Sequence, residues 1–202
     1  MGKKGNGSRR VLAVFEESAR LVDVALKMPS RTSKEKEAFL DTLSKAMAPV
    51  GMILIGDVAC GVHSSDELER AACRRLSGKF NLTLFKQINS YLVKKVQAVE
   101  QSAGSNVKTY ARYKEVVSEY VDLWAVRATI CELADDKSVV PDIRVRDAFD
   151  SEDTDLGMKF AAVADELKHS EFFDRFKETK GYKQLSECVN CPPLFKEDES
   201  EV

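Results

Sequence analysis

Histidine is nearly missing from this chain: His63 and His169 are the only two in 202 residues. Imidazole is the side chain whose ordinary pKa lies closest to neutrality, so general acid–base chemistry has few places to reside. The motifs that carry enzyme chemistry on other folds are also absent: there is no G-x-S-x-G elbow, P-loop, G-x-G-x-x-G or H-E-x-x-H. Asp165 and Glu166 stand near His169, and Glu115 and Glu119 are four apart, but acids at these spacings describe a solvated helix face with i,i+4 pairs. The expectation is a protein that is not an enzyme, uses no cofactor and takes no small-molecule substrate.

Glycine (10) and proline (5) are scarce, which argues against an all-β sandwich with frequent turns. Long apolar runs are lacking too. The longest covers residues 50–56 (VGMILIG) and continues, interrupted by Asp57, to residue 62. Spanning a bilayer takes about 20 apolar residues. The first ten residues, MGKKGNGSRR, are followed by Glu16, Glu17 and Arg20 where a secretory signal would need an apolar core. The five cysteines are odd in number and widely spaced, and read as reduced thiols. Together these features predict a cytoplasmic protein, with peripheral membrane association as the variant.

What the chain does have is helical periodicity. Apolar residues recur at helical spacing over 10–28, until Pro29. Thr32 and Glu35 form a T-x-x-E capping box that opens a helix over 33–48, ended or kinked by Pro49. Residues 50–62 read as a buried helix in spite of Gly51, Gly56 and Gly61. Ser64 and Glu67 form a second capping box for a helix that pauses at Gly78 and resumes near Asn81, running to 102. Asn106 is the N-cap of a helix over 107–134, with its stripe through Val117, Val121 and Trp124. Residues 135–155 are acidic, contain Pro141 and read as a loop or tip. A last helix covers 154–179, with Gly181 as its C-cap signal. The fold class is therefore all-α: a helical bundle of five to seven helices, with an elongated form as a variant. Residues 1–9 read as a disordered basic arm, 10–187 as one all-α domain and 188–202 as a flexible acidic tail.

Negative charge is the last shortage, and it is local. Between residues 70 and 114 there are ten bases against one acid, Glu100, a net +9 in a chain whose total is −2. Such a block points to an anionic partner. The candidate phosphate-contacting residues are Arg70, Arg74, Arg75, Lys79, Lys86, Lys94, Lys108 and Arg112. The alternative is a set of helix surfaces balanced in space by acids elsewhere. The expected function is a binding module that uses this cationic face on anionic phospholipid and its apolar helix faces on a protein partner or on itself, as a homodimer. RNA binding through the same charges and a pure protein scaffold are the rivals. No RNP motif, zinc finger or arginine-rich run favours RNA.

Two weaker signals remain. Cys60-x-x-His63 and Cys188-x-x-Cys191 have the gap that suits tetrahedral zinc, but about 125 residues separate them, and the expectation is no metal. Gly2 would permit N-myristoylation, with Asn6 standing where Ser or Thr is favoured.

The stretch VKTYARYK at 107–114, continuing EVVSEYVDLWAVRATI, resembles the second long helix of BAR domains, and LKHSEFFDRFK at 167–177 is similar to their last helix. That resemblance implies an all-helical, dimeric, curved module that binds anionic membrane through basic residues. Pro29, Pro49 and the acidic 135–155 segment depart from the BAR pattern. A fainter likeness, AACRRLS at 71–77 followed by VKTY at 107–110, is to ANTH domains of clathrin assembly proteins, which implies the same membrane-traffic setting; their N-terminal lysine cluster is not evident near residues 29–36.

Overall fold

The computed structural model describes residues 4–57, 59–103, 107–136 and 143–196. Eight α-helices and two 3₁₀ turns make up these residues, without a strand among them. They are α1 (Lys4–Ala25), α2 (Ser33–Gly56), a 3₁₀ turn (Gly61–His63), α3 (Glu67–Ser77), α4 (Leu82–Ala103), α5 (Tyr110–Ala134), α6 (Ile143–Lys168), α7 (Phe173–Lys177), α8 (Lys180–Ser186) and a closing turn (Pro193–Phe195). The all-α bundle read from periodicity is the fold. Seven of the helices are seven residues or longer.

α2 is the axis of the bundle. It opens on the capping box read from the sequence: the Glu35 amide donates to Thr32 Oγ1 at 3.2 Å, and Glu35 Oε2 accepts from the Thr32 amide at 2.9 Å. Pro49 does not end it; the helix continues to Gly56. A proline costs a mid-helix N–H and crowds the preceding turn. Neighbouring helices hold this region by side-chain bonds to its carbonyls. Ser18 of α1 donates to the Ala46 carbonyl at 2.7 Å, and Thr129 of α5 to that of Met47 at 3.0 Å. α2 has its most extensive contact with α5, and it also packs on α1 and α4. Gly51 permits this: its Cα lies directly against the Ala125 backbone.

An 18-residue window of α2 is apolar enough to cross a bilayer by length and composition, and half of that window is buried inside the bundle. Core helices meet the same criterion. Phe39, Leu43, Met47, Val50, Leu54 and Ile55 make this the buried face of a helix packed on others.

Several boundaries differ from the sequence reading. α1 already includes residues 4–9, assigned to a basic arm; residues 1–3, Gly2 among them, lie outside the described residues. The N-cap of α3 is Asp66, which accepts from the Leu68 and Glu69 amides, whereas Ser64 donates to the Glu69 carboxylate at 2.7 Å. Thr109 caps α5, and Asn106 lies outside the described residues. The acidic segment is not a loop throughout: from Ile143 onward it is the first half of α6, while residues 137–142 are not described. Gly181 lies inside α8 rather than after a helix.

The tail is docked as far as residue 196. Asn190 reaches the open C-terminal turn of α2, donating from its side chain to the Leu54 carbonyl (3.0 Å) and from its amide to that of Ile55 (3.2 Å). Carbonyls in the last turn of a helix have no partner within it, so Asn190 serves as a cap supplied from far along the chain. Trp124 Nε1 closes the set by donating to the Asn190 carbonyl at 3.1 Å. Leu194 and Phe195 are fully buried, with Phe195 joining the rings of Phe176 and Tyr182. Residues 188–196, expected to belong to a flexible tail, are instead packed on the bundle, and residues 197–202 lie outside the described residues.

Candidate anion-binding groove

The basic block does not form one face. Arg75 and Lys79, at the end of α3 and just beyond it, turn toward α1, where Glu16 (3.2 Å) and Asp23 (2.7 Å) receive them. Here the balanced reading holds: acids of one helix neutralise bases of its neighbour. Arg112 pairs with Glu115 one turn along α5 at 3.0 Å. Arg70 is half-buried, and its Nε is enclosed without a hydrogen-bond partner among the described residues. Arg74 and Lys108 are exposed, and neither lines the groove between α2 and α4 where other lysines of the block meet.

Lys86 and Lys94 do come together. They face a groove of about 750 Å³ between the start of α2 and the length of α4. The geometry follows from helical spacing. Thr83, Lys86, Gln87, Ser90 and Lys94 form one stripe of α4, while Ser33, Lys36, Glu37 and Leu40 form one stripe of α2. Apolar residues at these positions would close the two helices on each other. Polar ones leave a cleft, floored by Phe39 and Tyr91.

Four lysines, Lys36, Lys86, Lys94 and Lys95, line the groove with Glu37 as the one acid. Glu37 pairs with Lys95 at 3.6 Å and is two-thirds exposed. Lys95 also sits over the Tyr91 ring, 5.2 Å from its centre. Tyr91 is anchored by its hydroxyl, which donates to Asp41 Oδ1 at 3.0 Å. Burial and then this bond push the Tyr91 phenol well above its ordinary range. The hydrogen bond from Lys45 holds the Asp41 carboxyl below its own, so the Tyr91–Asp41 wall is fixed with a neutral phenol. Ser30 and Ser33 bring the N-terminus of α2 to one end, where the helix dipole adds positive potential. The sequence did not single out Lys36 or Lys95. Lys36 stands outside the basic block, and only the packing of α2 against α4 brings it in.

A second cleft, of about 490 Å³, lies where α5, α6 and the tail meet. Arg127 is clamped there by Asp153 through two bonds of 2.8 and 2.6 Å, and lies 4.6 Å from the Trp124 ring centre. Asp57, Glu132, Asp135 and Asp150 also line it. Among the described residues no group of three or more His, Cys, Asp or Glu is arranged to hold a metal, so Cys60, His63, Cys188 and Cys191 do not build the zinc site their spacing suggested. His63 instead pairs with Asp135 at 3.1 Å, and Glu132 accepts from the Val62 amide at 2.6 Å beside Gly61, whose positive φ of 73° suits glycine.

Burial pushes the thiols of Cys60 and Cys73 up to about 12. The thiolate is the reactive form, so both are inert in the folded chain. A disulfide reagent at pH 8 is expected to modify Cys60, Cys73 and the buried Cys191 only after denaturant is added, which a colorimetric thiol count checks. Full labelling of the native protein would contradict the packing.

No protein-family model, curated protein or solved structure matches this chain. The groove is therefore interpreted from its own chemistry.

Proposed function

We propose that this chain is a helical binding module that attaches to anionic membrane by seating lipid phosphate in the lysine groove between α2 and α4. The observation that supports it is the convergence of Lys36, Lys86, Lys94 and Lys95, from two helices, on a cleft lined by one acid. Ammonium groups suit phosphate as point charges, and the serine and threonine hydroxyls around them add donors. The apolar floor supplied by Phe39, Leu40 and Ala98 suits the part of a lipid next to its headgroup. Each lysine near an anionic bilayer contributes on the order of 1 kcal/mol, so Lys36, Lys86 and Lys94, with Lys95 paired to Glu37, give reversible, salt-sensitive attachment.

The test is co-sedimentation with vesicles of phosphatidylcholine alone or mixed with phosphatidylserine or a phosphoinositide. Binding is expected with the anionic mixtures only, and to fall as salt rises. Lys86→Glu with Lys94→Glu is expected to weaken it at least about tenfold, since two attractive charges become repulsive. Arg75→Glu, which breaks an internal pair with Glu16, should leave it within about twofold of the parent. A gel shift with single-stranded RNA is run beside it. RNA binding without vesicle binding, or equal effects of the two substitutions, would overturn the membrane assignment.

A further inference from the structure

On the other side of the Tyr91–Lys95 wall lies a third groove, of about 670 Å³, bounded by α2, α4 and α5. Its floor is apolar: Ala48, Pro49, Met52, Leu123 and Val126. Met52 is 40% exposed there, in a helix whose other large apolar residues are mostly buried. Its rim on α5 is acidic. Glu115, Glu119 and Asp122 follow one another at helical spacing over two turns, and among the described residues only Glu115 of the three has an ion-pair partner, Arg112. Asp41 also faces the groove and is taken up by Lys45 at 2.7 Å; Lys95, the other cation present, is taken up by Glu37.

Two polar groups in this groove have no partner among the described residues. The Ser44 hydroxyl is buried in the wall, on a residue 6% exposed, and makes no hydrogen bond. Buried hydroxyls are nearly always bonded, and an unpaired one is costly. Asp122 is exposed on the rim with no cation paired to it, and the desolvation its neighbours impose raises its carboxyl above the ordinary range. The carboxylate is an acceptor and the hydroxyl can act as one, and both border an apolar surface. What completes them is a donor carried on an apolar stem, that is, a lysine or arginine side chain.

We propose that this groove docks a basic amphipathic helix of a protein partner, its leucine-type side chains on the Met52–Leu123 floor and its cations on Glu119 and Asp122. The acids occupy two turns of α5, and a partner helix presents cations along one face with the same rise. Charge and apolar patterning of this kind is what helix-in-groove recognition uses. The site is independent of the lysine groove, from which the Tyr91–Lys95 wall separates it.

The probe is a fluorescein-labelled helix of leucine and lysine about four turns long, followed by fluorescence anisotropy against the full chain. Saturable binding is expected. Glu119→Gln with Asp122→Asn should weaken it about tenfold, and Met52→Gln, which leaves net charge unchanged, at least about threefold. Asp155→Asn with Glu166→Gln, exposed acids of α6, should leave it within about twofold, as should Lys86→Glu with Lys94→Glu. That last result keeps this site distinct from the vesicle site. Circular dichroism confirms that each variant folds. Absence of binding would overturn the proposal, as would equal weakening by the α6 pair, or equal affinity for a leucine–glutamate helix. So would a dimer of the free chain, seen by sedimentation, that Met52→Gln dissolves, because a second copy would then be the occupant.

Discussion

Replacing Gly51 by alanine is expected to destabilise this protein strongly. A β-carbon at that position would fall inside the Ala125 carbonyl group of α5, and the obstacle is backbone, which cannot swing aside as a side chain can. α2 and α5 would have to part, and the hydrogen bond from Thr129 to the Met47 carbonyl would go with the contact. Overpacking a core commonly costs about 1–3 kcal/mol, and a clash with backbone belongs at or beyond the top of that range. Against it stands the better helix propensity of alanine, about 1 kcal/mol. The net loss, about 2 kcal/mol or more, would read as a large fall in the urea midpoint. Gly56 supplies a control of opposite sign. It is exposed at the end of the same helix, and a β-carbon added there would meet no neighbour within 4 Å, so Gly56→Ala should raise the midpoint by a fraction of about 1 kcal/mol. Equal effects of the two substitutions would mean that α2 and α5 stand further apart than this packing requires.

The same contact shows what a single sequence can and cannot convey. Thr32 and Glu35 act within one turn, so their capping box was legible, and so was the break at 78–81, where Gly78 and Asn81 both act locally. The passage of α2 through Pro49 was not legible, because what sustains it comes from Ser18 and Thr129, distant in sequence. The acidic stretch before Leu156 looked like a tip because its charges mask a helical pattern. In the fold one of those acids, Asp153, is taken up by Arg127 of α5. The basic block illustrates the same limit. Its bases follow one another along the chain, but successive residues of a helix point about 100° apart, so proximity in sequence does not become a face. α1 draws Arg75 and Lys79 away, and α2 contributes Lys36 to Lys86 and Lys94.

Phe160→Ala is the second substitution expected to have a large effect, and it tests how α6 is fastened to α5. Phe160 is fully buried, edge-on to Tyr120 at 5.5 Å and to Trp124 at 5.0 Å between ring centres. Its carbonyl accepts from the Tyr120 hydroxyl at 3.3 Å. Removing a buried phenylalanine ring costs about 3–5 kcal/mol through lost transfer energy and the cavity left behind, and edge-to-face pairs add to the loss. The position of Trp124 makes the result readable. It is the one tryptophan of the chain, and besides Phe160 it touches the Arg127 guanidinium and donates to Asn190 of the docked tail. Fluorescence therefore reports on the junction of α5, α6 and the tail, whereas circular dichroism reports on all helices. The expected outcome is a lower midpoint by both probes, with red-shifted emission from the folded variant as water reaches the indole. Phe173→Ala, at a ring only partly buried, should cost appreciably less. A Phe160→Ala protein that loses under about 1 kcal/mol and keeps its native emission would show that the aromatic junction does not hold α6 in place.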